Sequence, residues 1–239
     1  MKKTLSTIAL ALACCLITGQ IQAQHNDIEF GYDSGQIFLE TGAFTDSSSD
    51  AARIFEGDFP TTGIFARFTD DPGFASEVAE GLGVGANDTI GIDLLQSTNF
   101  GSYLTYFDPV SNLIVSTDAT ITLEKGATSL AVTGTSGGSF TIAQADGDGD
   151  VHDHIDYFLS DGAEVGAYGL LFELTTDASG VSNSDPIWLV FNYGMDEEVF
   201  DSMALPAFGA AAVPEPSSLM VLGALSVGMI GMRRKRQNT

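Results

Sequence analysis

The sequence predicts an all-β fold: an antiparallel β-sandwich, built as one unit or as two Ig-like sub-domains, with two short helices. Three observations carry this. Short runs rich in Val, Ile, Thr, Phe and Tyr recur through the middle of the 239-residue chain. Gly, Asp, Asn and Ser break them at short intervals, which is the punctuation of tight turns. Within runs such as Thr120-Ile121-Thr122-Leu123-Glu124 and Ser102-Tyr103-Leu104-Thr105-Tyr106, polar and apolar residues alternate. A period of two is what a half-buried strand requires.

In chain order the predicted strands are 28–32, 36–40, 63–68, 89–95, 102–107, 113–116, 119–124, 129–133, 139–143, 152–160, 167–175 and 187–192. Asp71 can cap a first helix with Pro72 at its opening position, after which Phe74, Val78 and Leu82 share a face. A second helix, 195–205, opens with Asp196, Glu197 and Glu198, which suit the positive end of the helix dipole, and groups Val199, Phe200 and Met203. The Gly/Ser/Thr-rich stretch 133–139 reads as a hairpin or as a joint between sub-domains.

Charge divides the chain into three parts. Only Arg53, Arg67 and Lys125 stand between residues 25 and 213, against 31 acids, so this stretch carries −28 while the whole chain carries −23. Such a surface excludes a nucleic-acid partner, which needs clustered Lys and Arg. With 44% hydrophobic and 10% aromatic residues the chain can nonetheless build a core. Both cysteines, Cys14 and Cys15, sit in the first apolar run, so domain 25–210 has neither disulfide nor thiolate. Any metal site there must use histidine and carboxylate.

The ends read as targeting segments. Lys2 and Lys3, an apolar run over 5–18 and small residues near Ala23 make 1–24 a secretory signal peptide. At the other end come Val213-Pro214-Glu215-Pro216, an apolar run over 217–232, and Arg233-Arg234-Lys235-Arg236. As a transmembrane helix this run would reach roughly 24 Å, short for a bilayer core of about 30 Å. Its trailing bases would stay cytoplasmic and leave the acidic domain outside. Over 213–236 the three parts in this order resemble the PEP-CTERM sorting signal, with Pro214, Glu215 and Pro216 as its motif. The resemblance implies a Gram-negative exporter and an exosortase-type processing protease as partner. The protein would be anchored in the inner membrane, then released or attached to the cell surface, among extracellular polysaccharide or surface matrix.

The most informative internal stretch is Asp146-Gly-Asp148-Gly-Asp150-Val-His152-Asp153-His154-Ile-Asp156-Tyr157. On one strand, period-two alternation puts His152, His154 and Asp156 on a common face, with neighbours about 6.6 Å apart. Two imidazoles at that spacing can converge on zinc. A third ligand must come from elsewhere, and the remaining histidine is His25. The plainer reading is two solvated histidines in an acidic turn. Calcium is the rival ion, because Asp146, Asp148, Asp150 and Asp153 place oxygens at intervals. The stretch fails as an EF-hand, with Val151 at the turn-glycine position and Tyr157 where a bidentate glutamate belongs.

Two further patterns lack their context. Gly134-Thr-Ser136-Gly-Gly138 is like a serine-protease nucleophile loop but has no recognisable base motif. Gly81-Leu-Gly83-Val-Gly85 lacks the helix or βαβ unit that a phosphate loop needs. Metal-dependent hydrolysis would need a general base; Asp153 or Glu164 could serve, and nothing singles either out. No motif supports an enzyme.

Several segments together resemble the zinc-uptake-regulator-repressed PEP-CTERM proteins, related to the choice-of-anchor M surface proteins. They are His25-Asn-Asp27-Ile-Glu-Phe-Gly-Tyr32, Thr69-Asp-Asp-Pro-Gly-Phe74, His152-Asp-His154-Ile-Asp156-Tyr-Phe, Gly166-Ala-Tyr168, Asp185-Pro-Ile-Trp188 and Phe191-Asn-Tyr-Gly-Met-Asp-Glu-Glu-Val-Phe200. The resemblance implies a secreted all-β protein made under zinc limitation that binds or handles zinc outside the cell; with no catalytic motif present, the expectation is a protein without enzymatic activity. Its ligand candidates on this chain are His25, His152 and His154, with Asp156 as fourth ligand or as a carboxylate orienting a histidine. With three histidines in the chain, one site is the most it can build. The alternatives are a structural or adhesive matrix protein without a specific metal, and a calcium-stabilised surface domain.

Overall fold

The computed structural model describes residues 27–40 and 53–212. His25, the signal segment 1–24, the apolar run 217–232 and the sorting residues Pro214, Glu215 and Pro216 lie outside them. The described chain is mostly β. Its strands are β1 (Ile28–Asp33), β2 (Gln36–Leu39), β3 (Ile54–Asp58), β4 (Phe68–Thr69), β5 (Phe74–Ser76), β6 (Thr89–Leu94), β7 (Leu104–Asp108) and β8 (Leu113–Val115). There follow β9 (Ile121–Lys125), β10 (Thr128–Val132), β11 (Ser139–Gln144), β12 (Val151–Asp153), β13 (Asp156–Leu159), β14 (Gly166–Thr176) and β15 (Ile187–Tyr193).

They form three sheets. The largest runs β11-β6-β14-β15-β3, with β7 lying along the first half of β14 and β8 beyond β7. The two smaller sheets are β12-β5-β1-β2 and β10-β9-β13-β4. Among the named strands pairing is antiparallel except at two places: β1 is parallel to β5 and β15 is parallel to β3. The all-antiparallel expectation is corrected there, because both partners arrive through long connections instead of hairpins.

A single cluster of buried apolar residues draws on all three sheets, including Ile28 and Phe30, Ile121 and Leu123, and Ile90, Phe172 and Leu174. Phe74 of one small sheet meets Phe172 of the large one edge-on, ring centroids 6.4 Å apart. A second cluster lies on the opposite face of the large sheet, where Trp188 and Val190 meet Phe200, Ala204 and Phe208 of the C-terminal helix. This explains why β15 is a run of seven buried residues instead of an alternating one. A strand covered on both faces has no polar side to show.

The C-terminal helix α1 (197–212) comprises α turns over Glu197–Val199, a π stretch over Phe200–Ala204 and α geometry over Leu205–Ala212. Asp196 caps it, accepting from the N–H groups of Glu198 and Val199. Its buried face is Phe200, Ala204, Leu205 and Phe208, whereas Met203, expected inside, is 39% exposed. The π stretch shifts the register that plain 3.6-residue periodicity assumes.

The other expected helix does not form. Phe74, Ala75 and Ser76 are all buried and hydrogen-bonded between β1 and β12, leaving a single 3-10 turn at Val78–Glu80. Sheet pairing on both sides overrides the capping pattern, and the Asp71–Pro72 peptide is cis. Likewise 63–68 is turns up to β4, with Ile64 94% exposed, and β3 was not anticipated in Ile-Phe-Glu-Gly-Asp. The 133–139 stretch is a joint of another kind, carrying the chain from β10 in a small sheet to β11 in the large one.

Candidate metal centre

β5 is the pivot of the site. It holds β1 on one side, with Ile28 opposite Phe74, and β12 on the other, with His152 opposite Ala75. Asp27, just before β1, and His152 are thereby brought together although far apart in sequence. The Gly73 N–H donates to Asp27 Oδ1 at 3.0 Å, and the Ile28 N–H to the Gly73 carbonyl at 2.9 Å. That leaves Asp27 Oδ2 facing His152 Nε2 at 3.1 Å.

His154 arrives by a corner. The expected strand 152–160 is broken: β12 ends at Asp153 and the chain resumes as β13 in a different sheet. Ile155 is fully buried at the corner, turning His154 outward beside His152 with ring centroids 5.9 Å apart. Lys125 secures the turn, pairing with the Asp153 carboxylate and donating to the His154 carbonyl at 3.1 Å. The His154 ring lies flat on Gly73, where a Cβ would come within 2.7–2.8 Å of the imidazole. Only glycine leaves that space.

One ring's orientation follows from these contacts. His154 Nδ1 is 2.7 Å from the Asp70 carbonyl, and a carbonyl only accepts, so Nδ1 is the donor of that pair and Nε2 is the ring nitrogen turned away from it. Behind the rings stand two more carboxylates, Asp71 Oδ1 3.8 Å from His154 Nδ1 and Glu77 Oε1 3.8 Å from His152 Nδ1. An oriented imidazole backed by an acceptor is the arrangement that presents nitrogen to a metal. One ligand atom each from Asp27, His152 and His154 lies within 4.8 Å of the other two.

The sequence-derived candidates are thus partly assembled. His152 and His154 come together, joined by Asp27, which the sequence marks only as part of the His25–Tyr32 segment. Asp156 keeps the same alternation but sits past the corner on β13, opposite Glu124, and is not in this group. His25 lies outside the described residues.

Three of the four aspartates in 146–153 are engaged otherwise. Asp146 Oδ1 accepts from the N–H groups of Asp148, Gly149 and Asp150 at 2.8–3.0 Å, which holds its carboxyl below the usual aspartate range. Asp150 accepts from the Val78 N–H at 2.6 Å, and Asp153 pairs with Lys125. Their roles in the loop are explained by backbone and lysine donors. Among the described residues a second close group, Glu56, Glu197 and Asp201, contains carboxylates alone.

Past the fold the chain carries a different signal. Residues 212–236 match the PEP-CTERM protein-sorting motif. This motif, recognised by exosortase, marks an exported chain that is held at the membrane and then processed. It contains Pro214, Glu215 and Pro216. Among the described residues no helix is long and apolar enough to cross a membrane; the apolar run of the PEP-CTERM segment falls outside them. No curated protein matches the chain.

Proposed function

We propose that this protein, exported from a Gram-negative cell and displayed or released by the PEP-CTERM route, holds one divalent metal ion, most readily zinc, without catalysing a reaction. The observation that carries this is the convergence of Asp27, His152 and His154 within 4.8 Å. Two imidazole nitrogens and a carboxylate oxygen form a ligand set suited to zinc, with bonds of about 2.0–2.2 Å. The likeness to zinc-regulated surface proteins supports synthesis under zinc limitation, since three of the segments that carry it supply Asp27, Gly73 and the two histidines. His25 is two residues from Asp27, and two residues span at most about 7 Å. It is therefore a candidate fourth ligand, with Asp156 the weaker one because the corner separates it from the pair.

The three sheets are read as a sandwich folded as a single unit over 25–210, supported by the apolar cluster that all three share. Zinc titration of the processed protein and of a His152→Ala/His154→Ala double variant tests the function. The double variant is expected to lose the high-affinity site. Unchanged affinity, together with a melting temperature indifferent to EDTA, zinc and calcium, would instead favour a structural or adhesive matrix protein in which Asp27 and His152 are simply an ion pair. Stabilisation by calcium alone would favour the calcium-bound surface domain.

A further inference from the structure

A cavity of about 670 Å³ opens between three loops: the β7–β8 turn, the link from β8 to β9 and the link from β13 to β14. The two links are joined to each other. The Thr120 N–H donates to Ser160 Oγ at 3.0 Å, and the Ser160 N–H to the Thr120 carbonyl at 2.9 Å. Asp108 fixes the turn, accepting from the Val110 N–H at 2.9 Å and from the N–H and hydroxyl of Ser111. Tyr106, buried in the wall, donates its hydroxyl to the Val165 carbonyl at 2.8 Å. The cavity is thus held by the fold, and its size suits a small organic molecule. We propose that it binds, independently of the metal centre, an organic polycation: an aliphatic or sugar chain carrying two or more protonated amines.

The lining selects that class. Asp108, Asp118, Asp161 and Glu164 line the cavity, and no lysine or arginine does. Of these acids only Asp161 pairs with a base, Arg67; Arg53 and Lys125 are committed to Asp185 and Asp153. These three are the only lysines and arginines between residues 25 and 213, so no other part of the domain can supply one. An anion would therefore meet unmatched negative charge on entering. A single metal ion fits no better. It gathers its oxygens within about 2.3–2.6 Å of one centre, and the cavity's acids belong to neither group of described side chains close enough for that. Carboxylates spread around a cavity suit charges spread along a chain. Tyr106, Val110 and Val115 add apolar surface for the carbons between the amines, with Val110 89% exposed. Burial, and then the charges of Asp108 and Glu164, push the Tyr106 hydroxyl above its ordinary pKa, so the negative potential reaches the wall.

So acidic a domain attracts amines at many points, and controls must separate the cavity from the rest. The metal-free, processed protein is titrated calorimetrically with spermidine and with a glucosamine trimer, the N-acetylated trimer serving as the uncharged counterpart. At about pH 5.5 carboxylates are ionised and the amines protonated; about 150 mM salt screens scattered surface charge. Saturable binding of at least one amine at one site is expected, and the tighter of the two identifies the source. Asp118→Asn/Glu164→Gln is expected to weaken it about tenfold by removing charge-assisted hydrogen bonds. Asp33→Asn/Glu80→Gln, which removes two exposed acids outside the cavity, is expected to leave it unchanged. Equal binding of the N-acetylated trimer, no saturable binding of either amine, unchanged binding in the cavity variant, or equal weakening in both variants would each overturn the proposal.

Discussion

Gly73 decides the geometry of the site without supplying a ligand. Its N–H holds one oxygen of Asp27, and its missing side chain makes room for the His154 ring. Gly73→Ala is expected to push that ring out of line and weaken zinc binding by about 10- to 100-fold, the usual effect of disturbing a ligand's support. Isothermal titration would read the loss, and circular dichroism should show the β signal kept. The pairing of His152 with His154 was legible in the sequence, because alternation survives the corner between β12 and β13. Asp27 and Gly73 were not legible as partners. Nothing in local periodicity tells that β5 will seat β1 on one edge and β12 on the other. The same corner sets Asp156 apart from the pair, since one buried residue, Ile155, redirects the chain into another sheet.

At the scale of elements, the fold is most exposed to change where α1 covers the large sheet. Phe208 is fully buried, lies against Trp188 with ring centroids 5.2 Å apart, and rests on Gly169 of β14, where any Cβ would collide with its ring. Phe208→Ala is expected to cost about 3–5 kcal/mol, the range for removing a buried aromatic side chain. Urea denaturation would measure this as a lower midpoint at unchanged slope; a midpoint equal to wild type would mean that the helix does not cover the sheet. Most strands could be placed from sequence because their alternation and turn residues agree with the final pairing. The exceptions are instructive. β5 carries a helix-opening pattern, but its backbone is claimed from both sides. β3 has Glu56 and Gly57 at its centre and owes its place to parallel pairing with β15.

For the molecule as a whole, the deciding quantity is charge. A domain with three bases against 31 acids repels itself, which keeps it soluble and dispersed but opposes compaction. Its melting temperature is therefore expected to rise as salt increases from about 10 to 150 mM, over which the screening length shrinks from about 30 to 8 Å. Scanning fluorimetry at fixed pH would show it, and a melting temperature that falls with salt would contradict it. On the proposed function, a divalent ion at Asp27, His152 and His154 would relieve the same repulsion locally and would tie the start of β1 to the β12–β13 corner. Binding to the folded state alone stabilises it in proportion to ligand excess.

The most direct measurement is a crystal structure of the zinc-soaked protein with an anomalous difference map at the zinc edge. One peak is expected, about 2.0–2.1 Å from the Nε2 atoms of both His152 and His154 and within bonding distance of Asp27. A map with no peak between those imidazoles, or with zinc held only by the aspartates of 146–150, would contradict the assignment.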